Sequence, residues 1–359
     1  MTRDDAIREA TALREALHAC PEISGHEVRT RALLMQWLTA HTSMTLHPCG
    51  AGFYAAHRES NAHRSAIALR ADDDALPLPG GGASHLCGHD GHAAGLCAVA
   101  LMLEGATLGR NVFLLFQPAE ETGQGAQACL SMLEQEHVDE IYGLHNLPGF
   151  PLGQITTRRG TFACASRGLS IRLTGRPTHA AYPELGVNPA QAVGELLCAL
   201  PSLADASRYH GMTLCTPIGT RLGEKAFGSA AADAEIWLTC RSEQDDDLSL
   251  LERLIREKAV TLAQTHGLSC AFEVEDPFPA TVNDAACADK VLMLCGGVVL
   301  PVPMRWSEDF GWYLQRVKGA FFGVGAGERC PGLHTADYEF PDEALPFIID
   351  AWWLLLSGD

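Results

Sequence analysis

The sequence predicts an α/β fold in which a mostly parallel-sheet domain is interrupted by a smaller α+β domain. The chain has 359 residues, enough for two domains at roughly 150 residues each. Apolar strands alternate with helices up to about residue 164, a pattern typical of a parallel sheet with helices on its faces. The pattern then changes, and it returns after residue 275. We therefore assign residues 1–164 and 276–359 to the larger domain and residues 165–275 to the insertion.

The larger domain begins with two predicted helices, because apolar residues recur at helical spacing over residues 4–19 and 27–39. An alternation of buried strands and helices follows. The predicted strands are Ser65–Arg70, Asn111–Phe116, Glu140–Leu144 and Gly319–Val324, and the predicted helices are His92–Leu103, Gln124–Leu133 and Glu343–Leu355.

The inserted segment has a different periodicity. Leu169–Thr174 alternates between inward and outward positions, as in a half-buried strand. Residues 189–200 and 247–265 have helical spacing, and residues 229–240 and 269–275 are strand-like. We predict the order β-α-β-β-α-β, which makes a ferredoxin-like α+β domain with one covered sheet face.

Composition excludes several classes of protein. The net charge of −18 argues against nucleic-acid binding, because phosphate backbones require Lys and Arg. No apolar run reaches the roughly 18 residues of a membrane span, and the charged N-terminal segment lacks the apolar centre of a signal peptide. The 13 cysteines are then expected to be reduced thiols of a cytoplasmic protein. A cysteine beside histidines favours a metal site in that setting.

Polar residues are concentrated directly after the predicted strands of the larger domain. In open α/β sheets, ligands bind at the carboxyl ends of the strands. We therefore expect these polar clusters to meet at one edge of the sheet. The clusters are Asp72–Pro77 with His85–His92, Gln117–Glu121, Gly143–Asn146 and Gly332–His334.

The residue types in these clusters are typical of a metal site. In an extended segment Cys87 and His89 would point the same way and could bind one ion. The adjacent Glu120 and Glu121 would point in different directions. One of them could then bind metal while the other faces the substrate as a general base.

Two further histidines, His145 and His334, complete a set of five side-chain ligands. One tetrahedral zinc needs fewer, so the sequence predicts a two-metal site with a bridging water. Each piece alone has a simpler interpretation: a single histidine after a strand is usually structural, and a buried cysteine is usually a small hydrophobic residue. The density of ionisable groups in His85–His92 favours the metal site, because such a loop is costly without an ion.

The sequence resembles the aminoacylase, hippurate hydrolase and indole-acetyl-amino acid hydrolase group of metallopeptidase-like amidohydrolases. The resemblance runs from His18 to the C-terminus, and the cysteine-containing loop is specific to this branch. The motifs that carry it are Arg70-Ala71-Asp72-x-Asp74-Ala75-Leu76-Pro77, Cys87-Gly88-His89-Asp90-Gly91-His92, Gln117-Pro118-Ala119-Glu120-Glu121, His179-Ala180-Ala181-Tyr182-Pro183 with Gly186-x-Asn188-Pro189, Ser307-Glu308-Asp309-Phe310 and Gly332-Leu333-His334.

The resemblance implies a zinc-peptidase-like catalytic domain that binds two divalent metal ions per chain. Cys87 would bridge the two ions, Glu120 would be the general base and acid, and Asp74 would orient the ligands. Zinc is the first choice, because thiolate and imidazole are borderline-soft ligands, and manganese, cobalt and nickel are alternatives. The implied metal ligands are Cys87, His89, Glu121, His145 and His334.

The resemblance also implies a homodimer that forms through residues 165–275. In the family, a histidine of the inserted domain reaches the partner's active site, and His179 matches that position; alternatively, His179 is a capping or surface residue. The substrate would be a small N-acyl amino acid or a related amide. The resulting hypothesis is attack by a metal-bridged hydroxide, with Glu120 as base and with one metal and His179 of the partner subunit stabilising the oxyanion.

Two departures from the family pattern concern the substrate side. Only Leu78–Ser84 separates the Asp-Ala-Leu-Pro stretch from the cysteine loop, so we expect a more open rim. The family's Asn-Val-Ile-Pro-like strand start is replaced by Phe227-Gly228-Ser229-Ala230. The missing asparagine leaves the acyl and amine specificity open. Arg241 remains at the end of that strand, without an assigned role.

Three other functions compete with this hypothesis. A dipeptidase or aminopeptidase-like hydrolase would need an anchor for a free amino group, which the sequence does not identify. A non-catalytic metal-dependent binding protein would have no use for Glu120 beside the metals. A thiol-based redox enzyme is disfavoured because the sequence contains no Cys-x-x-Cys pair.

Overall fold

The computed structural model describes residues 2–358, which divide into two compact units. The first unit comprises residues 2–162, Thr281–Pro303 and 308–358, and the second comprises Ala163–Ala280 and Met304–Ser307. Within the described residues, every helix is too short or too polar to cross a membrane.

The helices and strands are numbered here in chain order. Among the described residues the α-helices are α1 (Arg3–His18), α2 (Val28–His41), α3 (His89–Leu103), α4 (Gly125–Cys129), α5 (Ser131–Gln135), α6 (Ala190–Leu203), α7 (Asp245–His266), α8 (Ala285–Leu294), α9 (Gly311–Leu314) and α10 (Leu345–Ser357), with 3₁₀ turns at Pro183–Leu185, Ala206–Arg208 and Asp342–Ala344. The strands are β1 (Thr45–Cys49), β2 (Gly52–His57), β3 (Ile67–Asp72), β4 (Leu76–Pro77), β5 (Ala83–Ser84), β6 (Val112–Gln117), β7 (Glu140–Pro148), β8 (Ile155–Thr157), β9 (Gly160–Ala163), β10 (Ala165–Thr174), β11 (Thr178–His179), β12 (Thr213–Leu222), β13 (Ser229–Ala230), β14 (Asp233–Ser242), β15 (Ser269–Phe278), β16 (Thr281–Asn283), β17 (Val298–Val299) and β18 (Lys318–Gly327).

The first unit is built on an eight-stranded sheet in the order β1-β2-β6-β3-β7-β18-β8-β17. Its four central strands, β6, β3, β7 and β18, pair in parallel, which confirms the predicted α/β fold. Strands β1 and β2 extend one edge in antiparallel fashion and were not predicted. Helices connect the parallel strands, so their carboxyl ends lie at one edge of the sheet.

The core of this unit lies between the sheet and helix α3. Every residue of β3 and β6 is buried, as expected for parallel strands covered on both faces. Helix α3 is buried around almost its whole circumference, because α1 and α10 also pack against it. Its small residues permit this approach: a Cβ on Gly95 would lie 2.8 Å from Ile348 Cγ2.

Several predicted boundaries in this unit differ from those in the structure, and three of the differences have an identifiable local cause. Helix α3 begins at His89 rather than at residue 92, because Gly88 before it adopts a left-handed conformation. The helix predicted over Gln124–Leu133 is interrupted at Leu130, where an i→i+3 hydrogen bond from the Leu133 N–H replaces α-helical bonding. Strand β7 continues to Pro148, because β18 pairs with it over that whole length.

The second unit has a four-stranded antiparallel sheet in the order β12-β14-β10-β15. Helices α6 and α7 pack on it around one apolar cluster, and the chain order is the predicted β-α-β-β-α-β. Strand β12 was not located from the sequence, because Pro217 and Gly219 are poor strand residues; the register shifts between them. The predicted strand 229–240 is two elements, β13 and β14, which join different sheets.

A buried asparagine joins three strands of the first unit. Asn283 in β16 is 4% exposed. Its Nδ2 donates to the Phe321 carbonyl (2.9 Å) and to Thr157 Oγ1 (3.1 Å). Its Oδ1 accepts from the Phe321 N–H (2.7 Å). This one amide therefore satisfies several backbone and side-chain groups that have no access to water.

We expect Asn283→Ala to lower the free energy of unfolding by about 2–4 kcal/mol, because each buried partner left unsatisfied costs about 1–3 kcal/mol. Urea denaturation followed by circular dichroism measures the change. The control is Asn61→Ala at an exposed position, which should change stability by less than about 0.5 kcal/mol. Equal effects of the two substitutions would contradict the structural role of Asn283.

Candidate metal centre

The structure brings the five predicted metal ligands together in two groups. The donor atoms of Cys87, His89 and His145 lie within 4.8 Å of one another. The donor atoms of Cys87, Glu121 and His334 satisfy the same distance. Cys87 belongs to both groups, as expected for a thiolate that bridges two ions. The arrangement can therefore hold a pair of cations with one shared ligand.

Cys87 and His89 converge because of a left-handed glycine, so the predicted extended geometry is wrong. Cys87 lies in a bend, and His89 is the first residue of α3. Gly88 between them has φ = 89°, which residues with a side chain rarely adopt. A Cβ at this position would also lie 2.5 Å from the Tyr338 hydroxyl. Both conformation and space therefore require glycine in this loop.

The other two histidines come from a strand and from a loop. His145 lies inside β7 rather than after it, in the part beyond Gly143 where β3 no longer pairs with this strand. His334 lies in a loop and has φ = 63°, and half of its side chain is exposed. Its N–H donates to the Leu86 carbonyl at 2.8 Å. That bond ties the His334 loop to the residue before Cys87.

Asp74 holds two of the predicted ligands in position. His89 Nδ1 donates to its Oδ1 at 3.0 Å. The Asp74 Oδ2 accepts from the Ser24 hydroxyl (2.6 Å) and from the Glu121 N–H (3.1 Å). One buried carboxylate thus orients the ring of one ligand and the backbone of another. This geometry fits the orienting role expected for Asp74.

The hydrogen bonds at Nδ1 of His89 and His145 leave Nε2 of each ring as the nitrogen that could bind metal. His89 donates from Nδ1 to Asp74, and His145 donates from Nδ1 to the Asn146 carbonyl at 2.8 Å. A neutral imidazole that donates from Nδ1 carries its lone pair on Nε2, the form that metals bind. His89 Nε2 and Glu121 Oε1 are buried and have no hydrogen-bond partner within residues 2–358. One cation in each of the two donor groups would satisfy these atoms, so the donor set fits a pair of metal ions.

Asp72 and His92 also approach His89, but their polar atoms have other partners. His92 Nδ1 donates to Asp72 Oδ1 at 2.6 Å, and His92 Nε2 lies 2.6 Å from Asn146 Oδ1. The Asp72 Oδ2 accepts from Arg70 Nη1 at 2.6 Å. These hydrogen bonds support the segments that carry His89 and His145. They leave the two groups that share Cys87 as the better candidates for metal.

Glu120 is the buried carboxylate next to these groups. It is 5% exposed, and its carboxylate lies within 4.8 Å of the donor atoms of His89 and Glu121. The Asp309 N–H donates to its Oε1 at 3.3 Å. Burial raises the pKa of Glu120 well above its usual range, and the charges of Glu308 and Glu121 raise it further. Such a carboxylate is suited to accept and return a proton.

The electrostatics of the centre indicate an excess of buried negative charge. Burial raises the pKa of the Cys87 thiol well above its usual range, and the charges of Glu121 and Glu120 add to this. Burial lowers the pKa of His145. Burial has the same effect on His89, but the neighbouring carboxylates outweigh it and raise the pKa of that ring. A bound cation would reverse the effect on Cys87 and favour the thiolate.

Several residues that support the centre were not predicted as site residues. Asn146 and His92 belong to the clusters identified after the predicted strands, but the hydrogen bond between them joins segments that are distant in the chain. Ser24 belongs to no motif, and it meets Asp74, 50 residues further along the chain, only in the folded protein. The motif residues Arg70, Glu308 and Asp309 had no assigned role. The signal that could have identified them is their charge within otherwise apolar, buried segments.

The substrate-side residues proposed from the sequence lie in the second unit. His179 is exposed on β11, and its Nδ1 accepts from the Ala181 N–H at 3.1 Å. Ser229, in the stretch that departs from the family pattern, pairs with His179 across the β11–β13 ladder. Phe227 beside it is 91% exposed. Arg241 donates to Ser307 Oγ at 2.9 Å.

The chain is similar to known proteins along almost its whole length. The chain is 26% identical over 359 residues to an N-acetyldiaminopimelate deacetylase of Exiguobacterium sibiricum, covering 95% of this chain and 96% of the relative. It is 28% identical over 373 residues to the IAA-amino acid hydrolase ILR1-like 5 of Arabidopsis thaliana, covering 96% and 85%. Its fold is similar to that of the Bacillus subtilis YXEP protein, described as a dinuclear metal binding peptidase, with a TM-score of 0.82, 24% identity and 99% and 98% coverage.

The sequence profile of peptidase family M20/M25/M40 matches residues 68–357, which include every predicted ligand. The family match and the names of the sequence relatives confirm the predicted enzyme class, a metal-dependent hydrolase of carbon–nitrogen bonds. The chain belongs to peptidase family M20/M25/M40.

Proposed function

We propose that this protein hydrolyses the amide bond of small N-acyl amino acids with two divalent cations bound in one site. The observation that carries this proposal is the pair of donor groups that share Cys87, with the Glu120 carboxylate beside them. Five ligands with one in common are more than a single tetrahedral ion uses. The spare carboxylate gives the site a group for proton transfer.

The proposed ligands are Cys87, His89, Glu121, His145 and His334. Thiolate and imidazole donors favour zinc, and manganese, cobalt and nickel remain alternatives. When bound, the two cations would supply Lewis acidity that polarises a carbonyl group and acidifies water. Asp74 holds the His89 ring and the Glu121 backbone, so it would keep two ligands in place as the ions bind.

Glu120 is the proposed general base and acid. It takes a proton from the attacking water and delivers it to the departing amine, so that one carboxylate serves both halves of the reaction. Its burial and the Asp309 N–H hold the carboxylate in a defined position. Burial and the charges of Glu308 and Glu121 raise the pKa of Glu120, which suits a group that must hold a proton between the two steps.

The substrate class rests on the relatives, which are named for N-acetyl and indole-acetyl (IAA) amino acid compounds. An N-acyl amino acid carries an amide for the metal centre and a carboxylate for recognition. The proposal does not specify the acyl and amine groups of the substrate, because Phe227 and Ser229 lie in the stretch where the family carries its substrate-holding asparagine. The short turn between β4 and β5 would leave room for a larger acyl group.

We further propose a cytoplasmic homodimer that forms through residues 165–275, in which His179 of the partner subunit binds the oxyanion. Because His179 Nδ1 accepts a backbone N–H, its neutral ring carries the proton on Nε2. That N–H is a suitable donor to an oxyanion. The exposed position of His179 within its own unit supports a role toward another chain.

The two adjacent glutamates should fail in different ways. We expect Glu120→Gln to lower kcat by about 10²–10⁴-fold while both metals stay bound, because only proton transfer is removed. Glu121→Gln should lose metal as well as activity, because it removes a ligand. Amine release from N-acetyl, N-benzoyl and N-indoleacetyl amino acids, measured together with metal content by mass spectrometry, separates the two effects.

The matched control for these variants is Glu134→Gln, an exposed glutamate of the same unit that should behave like the unmodified protein. An active Glu120→Gln protein would exclude Glu120 as the base. Absence of amine release by the unmodified, metal-loaded protein on every compound would contradict the proposed substrate class.

His179→Ala should retain both metals and lose about 10²–10³-fold in kcat, the usual effect of removing one oxyanion donor. Mixing this variant with inactive Glu120→Gln protein and allowing subunit exchange should restore activity. A mixed dimer then has one site with an intact base and an intact His179 of the partner subunit. Near-normal turnover by the single variant, a monomeric mass in solution or no recovery on mixing would each overturn this role.

A further inference from the structure

The carboxylate of Asp309 is hydrogen-bonded to both sides of the turn that carries Glu120 and Glu121. Its Oδ1 and Oδ2 accept from Gln117 Nε2 at 3.0 and 2.9 Å. Its Oδ2 also accepts from the Ala126 N–H at 2.8 Å. Gln117 is the last residue of β6, and Ala126 lies in the first turn of α4. The intervening residues therefore form a loop whose two ends are held by one side chain.

The backbone of Asp309 adds a third contact to the same turn. Its N–H donates to Glu120 Oε1 at 3.3 Å. The turn itself has little freedom: Ala119 before Glu120 has φ = 52°, and a Cβ on Gly125 would lie 1.7 Å from the Pro118 carbonyl oxygen. Asp309 thus contacts the turn before, within and after the two glutamates.

Charge balance alone does not account for Asp309. Arg70 is fully buried, and its guanidinium donates to Asp72 (2.6 Å), Glu308 (2.9 Å) and Asp309 (2.8 Å). One cation thus faces three buried carboxylates, and each unpaired buried charge is costly unless hydrogen bonds satisfy it. For Asp309, the hydrogen bonds other than that of Arg70 come from the Glu120 turn.

We propose that Asp309 is a positioning residue that fixes the Glu120–Glu121 turn, so that Glu120 acts as base while Glu121 binds metal. This inference rests on the proposed function of Glu120. Two neighbouring residues with different tasks require a fixed backbone, since a rotation of the chain at either residue would move both carboxylates away from their positions. Asp309 supplies that constraint from a separate segment, and Arg70 compensates its charge.

The first test is Asp309→Asn, which preserves size but places an amide N–H₂ against the donors of Gln117, Ala126 or Arg70. We expect kcat to fall by about 10–100-fold, because small misplacements of a reacting group have effects of this size. KM should stay within about threefold and two metals should remain bound, since no ligand is removed. The control is Asp284→Asn, which removes a charge from a carboxylate that accepts two backbone N–H groups at the start of α8.

The second test reverses the hydrogen bond between residues 117 and 309. Gln117→Glu alone places two carboxylates against each other and should lower kcat. Combining it with Asp309→Asn lets the new amide donate to the new carboxylate, with no change in total charge. We expect the kcat of the double variant to be at least about tenfold higher than that of the less active single variant. Two unrelated structural defects would not compensate each other in this way.

Unchanged kcat in Asp309→Asn would overturn the proposal, as would additive losses in the double variant. If Asp309→Asn does not fold, the comparison of Gln117→Glu with the double variant decides, because rescue requires the contact between these two positions. Failure of the proposed function gives a different result: Glu120→Gln would then be as active as the unmodified protein, whatever the effect at residue 309.

Discussion

The constraint on which this structure depends is the burial of many carboxylates at the carboxyl edge of one sheet. A buried carboxylate is tolerated only when a cation or several hydrogen bonds compensate it. Arg70 compensates one side of the cluster, and its guanidinium contacts three acids. The other side contains the groups that share Cys87, which we assign to two cations. The acids buried at this edge include Asp72, Asp73, Asp74, Glu120, Glu308 and Asp309.

The two halves of this cluster have different tasks. On the Arg70 side all charges are internal, so the result is a rigid support for the turn after β6. On the Cys87 side the donors converge with unsatisfied atoms, so the result is a site that needs an ion. Glu120 lies between the two halves. It accepts a hydrogen bond from the Asp309 N–H on the Arg70 side, and it lies close to His89 and Glu121 on the Cys87 side. A general base at this position would be fixed by its hydrogen bond and would lie next to the proposed metal site.

Much of the fold could be predicted from the sequence, because buried parallel strands are continuous apolar runs with polar residues after them. An antiparallel edge strand of each sheet was missed: β1 in the eight-stranded sheet contains Pro48, and β12 in the four-stranded sheet contains Pro217 and Gly219. The ligand set could be proposed from motifs, yet the reason given for Cys87 and His89 was wrong. A left-handed Gly88, rather than an extended segment, brings them together, and backbone handedness is not visible in spacing alone.

The part that could not be predicted is the network of long-range contacts. Ser24, Asn146 and Asp309 each meet the centre through hydrogen bonds to residues distant in the chain. Such contacts depend on strand order and on where each strand ends, and no local pattern encodes them. Substrate specificity could not be predicted either, because the stretch around Phe227 departs from the family pattern and contains no motif to interpret.

We expect the two bound cations to share the Cys87 thiolate, and native mass spectrometry of the purified chain under reducing conditions counts the ions that bind. We predict two divalent ions per chain for the unmodified protein, and a loss of both in Cys87→Ala. A chain that binds no ion, or only one, when zinc, manganese, cobalt and nickel are each supplied would contradict the account. Full occupancy in Cys87→Ala would contradict the shared thiolate.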